Sequence, residues 1–175
     1  MGCYSELASD SFLLNQVGDA KSVTIYGCAF CANQSIAYVK EMPIIGESSL
    51  FGLRFRSYGT AKEAKRLKEL LEQNGKTATI KFFNLPTSPY CQLNQSDRKK
   101  VAKACGDSQA AIALSCIAGY GGIRNALPPS VKVIPGMATV GTIASYLTVE
   151  DGKVLLDRDK TRVIRFKQPD QSIRE

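Results

Sequence analysis

Hydrophobic and polar positions change period several times along the chain, and each change marks an element. Ser22 to Gly27 is a compact run of β-type residues closed by glycine, and it reads as a strand. Directly after it, Ile36, Ala37 and Val39 sit at helical spacing within Ala32 to Glu41, and Pro43 stops the helix. Thr60 to Asn74 has the clearest helical period. Ala64, Leu67, Leu70 and Leu71 form its apolar stripe, Thr60 and Glu63 have capping-box spacing, and Gly75 supplies the stop. Thr77 to Phe83 follows as a strand, and Leu85 to Cys91, with two prolines, as a stiff loop. Ser96 to Cys105 reads as a helix begun by Ser96 and Asp97 and ended by Gly106, and Ala110 to Ser115 as a buried strand running into Cys116. A helix opened by Gly119 to Gly122 and reaching about Leu127, then a strand at Val131 to Ile134, complete the alternation.

Strands alternating with helices through short connections pair in parallel by right-handed crossovers. The expected fold is therefore an α/β domain with an open, doubly wound, mostly parallel sheet. Beyond residue 145 the rhythm breaks. Tyr146 to Val149, a Glu150-Asp151-Gly152-Lys153 turn and Val154 to Leu156 give a hairpin signal, to which Arg162 to Lys167 adds a third strand. Residues 1–20, of mixed polarity with a short helix around Phe12 to Leu14, read as an N-terminal extension. The organisation is then 1–20, a core of 21–145, and an antiparallel hairpin appendage with tail at 146–175.

Composition narrows the classes. A chain of 175 residues, 44% hydrophobic, fits one core. Its longest apolar runs fall well short of the roughly 18 residues of a membrane span, and the start lacks a basic-then-apolar leader, so a soluble cytoplasmic protein is expected. The formal charge of +7 invites a nucleic-acid reading. Yet Lys62 to Glu69 interleaves both signs, as on a solvated helix face, which disfavours nucleic acid and leaves an acidic protein or an anionic substrate. Histidine is absent, no Gly-x-Gly-x-x-Gly follows the first strand, and no nucleophile–base pair is evident, so the chain shows no complete catalytic apparatus.

The six cysteines carry the chemistry. In a parallel sheet the carboxyl ends of the strands share one edge, where ligand sites gather. Cys28 and Cys31 follow the first strand, Cys91 the second and Cys116 the third, so these four thiols are expected to converge. Four thiolates without histidine suit a 4Fe-4S cluster or Zn²⁺, and one close pair with two singletons tips the spacing towards the cluster. Backbone N–H groups of Gly119 to Gly122 could donate to it. A Cys28–Cys31 dithiol at a helix N-terminus is the alternative, as is a zinc-stabilised interaction module. Cys105 reads as a small buried hydrophobe, and Cys3 as incidental in a mobile terminus.

Ser22 to Cys31, Cys91, Ala113 to Gly119 and Val133 to Thr139 together resemble the C-terminal domain family of methylenetetrahydrofolate reductase proteins, over about residues 21–142. The resemblance implies a metal or cluster site at Cys28, Cys31, Cys91 and Cys116. It also implies a small iron–sulfur subunit that passes electrons to, or helps assemble, a flavin-bearing, folate-reducing partner. Two departures stand out. A cysteine-free hairpin replaces the cysteine-rich tail of longer relatives, so one site at most is expected. An insert, Pro43 to Gly59 with Phe51, Arg54, Phe55, Arg56 and Tyr58, reads either as a cover for the sheet edge or as a docking loop for the partner.

Overall fold

The protein is described as a computed structural model covering residues 1–45, 58–82 and 90–167. In chain order its elements are β1 (Gly2–Leu7), α1 (Asp10–Val17), β2 (Ser22–Gly27), α2 (Cys31–Lys40), α3 (Tyr58–Gln73), β3 (Thr77–Phe82), a 3₁₀ turn (Tyr90–Gln92), α4 (Gln95–Cys105), β4 (Ala110–Leu114), α5 (Ile117–Ala126), β5 (Lys132–Pro135), β6 (Met137–Ala144), β7 (Leu147–Glu150), β8 (Lys153–Leu156) and β9 (Arg162–Arg165). No helix among the described residues is long and apolar enough to cross a membrane.

The alternating region forms a parallel sheet in the order β3-β2-β4-β5. All five residues of β4 and five of six in β2 are buried, as expected of central strands covered on both faces. On one face the Tyr26 hydroxyl donates to Val101 O of α4 at 2.8 Å, and Thr24 bonds to Ser108 at 2.7 Å. On the other, Val23 and Ile25 join the core with Leu67 and Leu71 of α3. Gly27 stands level with both Phe82 and Leu114, so three strands end on one line. From β2 the chain crosses to one side to form β3, then returns past β2 to form β4, so the strand order reverses between β2 and β4.

Local signals were good guides to helix ends but not to every cap. Asn94, rather than Ser96 or Asp97, caps α4, its side chain accepting from Asp97 N. Thr60 is not the cap of α3 either. Its N–H donates to Asn33 Oδ1 and its hydroxyl to Cys28 O, fixing the helix to the turn after β2. Glu63 is drawn elsewhere: only 2% exposed, it lies between Lys40 and Arg66, and Arg66 also grips Asp10 of α1. Burial pushes its carboxyl up, but hydrogen bonds from Arg66 and Lys40 outweigh burial and hold it below its ordinary 4.5. A depressed carboxylate contributes stability that is present above the unfolded value and lost as pH falls through the folded one. Glu63→Gln is therefore expected to cost about 2 kcal/mol at pH 7, with a smaller difference from the parent at pH 3 in urea unfolding.

The antiparallel part departs from expectation in two ways. The hairpin forms as read, β7 and β8 joined at Glu150↔Lys153 by Asp151 and Gly152, both at positive φ as a two-residue primed turn requires. The strand at Arg162–Arg165, however, pairs with β6 and not with the hairpin, giving a second sheet in the order β1-β6-β9. Residues 2–17 are thus no loose extension. β1 pairs with β6 across the length of the chain, Gly2 opposite Ile143, burying Tyr4 and Ser5.

Candidate metal-binding thiol site

Three elements bring their thiols together. Cys3 stands on β1, Cys31 is the first residue of α2, and Cys116 is the N-cap of α5; their Sγ atoms all lie within 4.8 Å of one another. Cys116 is buried, whereas Cys3 and Cys31 are half-buried. The expectation of an incidental Cys3 in a mobile terminus is corrected here: its strand is pinned by β6, and its Sγ lies within 4.8 Å of that of Cys31. Gly2 lies against the same thiol, since a Cβ there would meet Cys31 Sγ at 3.2 Å.

A chain of hydrogen bonds holds these elements in register. The Ser35 hydroxyl of α2 accepts from Ser5 N of β1 at 3.0 Å and donates to Cys31 O at 2.9 Å. Ser5 Oγ meets Thr139 Oγ1 of β6 at 3.1 Å, and Thr139 Oγ1 accepts from Ile117 N of α5 at 2.8 Å. β1 is therefore tied to α2 through one hydroxyl, and to α5 through two by way of β6. Thr139→Val removes the link to α5, and an about 10-fold loss of metal affinity is expected from such a supporting change, read by competition with a chelator.

Electrostatics separates the thiols. Cys116 accepts from the Cys31 thiol and from the backbone N–H groups of Gly119 and Ala118, which pulls it down to about 5 despite burial. Cys31, the donor of that pair and itself half-buried, is raised. Within this pair the negative charge is favoured on Cys116, which sits at a helix N-terminus whose dipole favours the anion. Burial raises Cys28 to about 11, with N–H groups of Phe30 and Ala32 opposing and Cys116 and Cys91 adding to the rise. Cys91 is exposed, and its thiol is raised by burial and by Cys116.

Of the four expected ligands, Cys31 and Cys116 are in the close group. Cys28 and Cys91 lie near enough to feel Cys116 but outside the 4.8 Å group. Cys105 belongs elsewhere, at the end of α4, where burial raises its thiol and Tyr26 and Thr24 lower it. The glycines after Cys116 have two uses. Gly119 donates its N–H to Cys116, and Gly122 lets the Tyr90–Gln92 turn reach α5, because a Cβ there would lie 1.8 Å from Tyr90 O. That approach is what sets Cys91 beside the site. Phe51, Arg54, Phe55 and Arg56 of the insert lie outside the described residues; Tyr58 opens α3, with Lys62 Nζ 5.0 Å over its ring.

Comparisons with family models, curated proteins and solved structures give no match. The functional reading therefore rests on the thiols.

Proposed function

We propose that the chain binds one soft metal ion, Zn²⁺ foremost, through Cys3, Cys31 and Cys116, with Cys28 or Cys91 completing a tetrathiolate shell, as a non-catalytic subunit of a larger redox assembly. The thiol spacing carries this reading. With metal–sulfur bonds of about 2.3 Å, tetrahedral ligand sulfurs stand about 3.8 Å apart, and three sulfurs already within 4.8 Å need little adjustment to meet one ion. A 4Fe-4S cluster sets its cysteine sulfurs on the outside of a cubane, farther apart than the ligands of one ion. The spacing thus favours a single ion over the cluster expected from the sequence. The donor set agrees, since thiolates without histidine select soft metals. The Ser115 hydroxyl, buried next in sequence to Cys116 and without a hydrogen-bond partner among the described residues, fits a donor to a charged, metal-bound sulfur. The N-termini of α2 and α5 offset the negative charge of several thiolates.

On this reading the crevice between β2 and β4 is the switch point of a doubly wound sheet, where such folds place their ligands. The partner remains a flavin-bearing or other redox protein, as the family resemblance implies. Zn²⁺ has no redox chemistry, so the ion would hold the docking edge in shape rather than carry electrons.

Anaerobically purified protein is expected to contain close to one zinc per chain, falling below a tenth of that in Cys3→Ser as well as in Cys31→Ser. Iron with equimolar acid-labile sulfide would overturn the single-ion reading. A second reading, thiol–disulfide exchange, draws on the Cys31–Cys116 contact. It would leave the protein metal-free, and mild oxidation would yield a Cys31–Cys116 disulfide rather than the Cys28–Cys31 bond suggested by the sequence.

A further inference from the structure

A cavity of about 370 Å³ opens between β1 and α2, on the far side of Ser35 from the thiols. Leu7, Ile36, Val39 and Met137 make its apolar walls, and Glu6 and Arg165 stand at its rim. We propose that this cleft is a binding site for a free apolar α-amino acid, with the side chain between Ile36, Leu7 and Met137 and the zwitterionic head group at Glu6 and Arg165.

Three observations lead there. First, the interior selects an apolar group. Its interior polar members are already engaged: Ser35 with Ser5 N and Cys31 O, Ser5 Oγ with Thr139, and the Tyr4 hydroxyl with Arg165, whose guanidinium also lies over the Tyr4 ring. A polar side chain entering the cleft would lose water and gain no partner, whereas an aliphatic or aromatic one loses only unfavourable hydration. Second, the rim presents one charge of each sign. Glu6 and Arg165 pair with each other across β1 and β9, and both are exposed, with side chains 42% and 61% accessible. An exposed pair contributes little net stability, so it can open to take an ammonium on Glu6 and a carboxylate on Arg165, the guanidinium offering a two-pronged fit. A ligand with one charge would satisfy one partner and repel the other. Third, the mouth is open and itself apolar: Val39, on the solvent side of α2, is 51% exposed, and ligand sites of this size are typically apolar with a few oriented polar groups. None of the lining residues is a thiol, although the cleft shares Ser5 and Ser35 with the links that hold the thiol-bearing elements in register.

Titration calorimetry with L-leucine and L-phenylalanine tests this on the full chain, using 3-methylbutylamine and 4-methylpentanoate as leucine analogues lacking one charge each. Saturable one-to-one binding of either amino acid is expected, at least 10-fold tighter than both analogues. It should weaken about 10-fold in Glu6→Gln and in Arg165→Gln, and vanish in Val39→Trp, whose ring occupies the mouth from a surface position that leaves the fold intact by circular dichroism. No saturable binding of either amino acid would overturn the proposal, as would equal binding of 4-methylpentanoate, or leucine binding unchanged by Val39→Trp.

Discussion

Cys116→Ser is expected to remove metal binding while leaving the fold standing. Cys116 is the N-cap of α5 in extended conformation, and serine is among the best residues at that position, so the helix keeps its start. What is lost is the soft ligand: the thiolate that accepts from Cys31, Gly119 and Ala118 becomes a hydroxyl that stays protonated. Changes in residues that only support a ligand cost 10–100-fold in affinity, so loss of the ligand itself should exceed ~100-fold. The stabilisation expected of zinc in the parent, about 2.7 kcal/mol at a hundred times its dissociation constant, should disappear. Thermal unfolding with and without zinc checks both parts. An unchanged melting temperature without zinc, together with a lost zinc-dependent rise, is the expected pattern.

Gly122→Ala should be the most destabilising conservative change in α5. Alanine normally stabilises a helix interior over glycine by about 1 kcal/mol, but here its Cβ would lie 1.8 Å from Tyr90 O and 2.9 Å from Tyr90 C, backbone atoms that cannot step aside alone. The Tyr90–Gln92 turn must move, and with it the edge-on contact between the Tyr26 and Tyr90 rings. Overpacking of this kind costs roughly 1–3 kcal/mol or more, so a net loss of ~2 kcal/mol in denaturant unfolding is expected. Gly121→Ala, where a Cβ meets nothing within 4 Å, should instead be neutral or mildly stabilising. Cys91 is expected to alkylate faster in Gly122→Ala, because the turn no longer lies against α5.

What could be read from the sequence follows from how local each signal is. The parallel strands and α2 to α5 announced themselves by period and punctuation, and the end-of-strand rule brought Cys31 and Cys116 together. The antiparallel sheet was another matter. β6 carries Gly141 at its centre, which weakens any strand pattern; the glycine is there because a Cβ would meet Ile164 O of β9 at 2.2 Å. β1 is six residues whose partner lies at the other end of the chain, and its ladder is broken by a register shift between Tyr4 and Ser5. Without β6 there was no reason to fold the terminus back, and so no reason to count Cys3. Its one local hint was a cysteine within a short β-like stretch, Cys3 to Leu7. Glu63 shows the same limit: capping-box spacing is a local signal, but Lys40 and Arg66 offered a buried carboxylate two cationic partners.

X-ray absorption at the metal edge of anaerobically purified protein tests the central claim most directly. The account predicts a first shell of sulfur alone at about 2.3 Å, with no metal–metal vector, and an edge that all but disappears in Cys3→Ser. An iron edge with a short iron–iron vector, or a shell unaltered by Cys3→Ser, would contradict it.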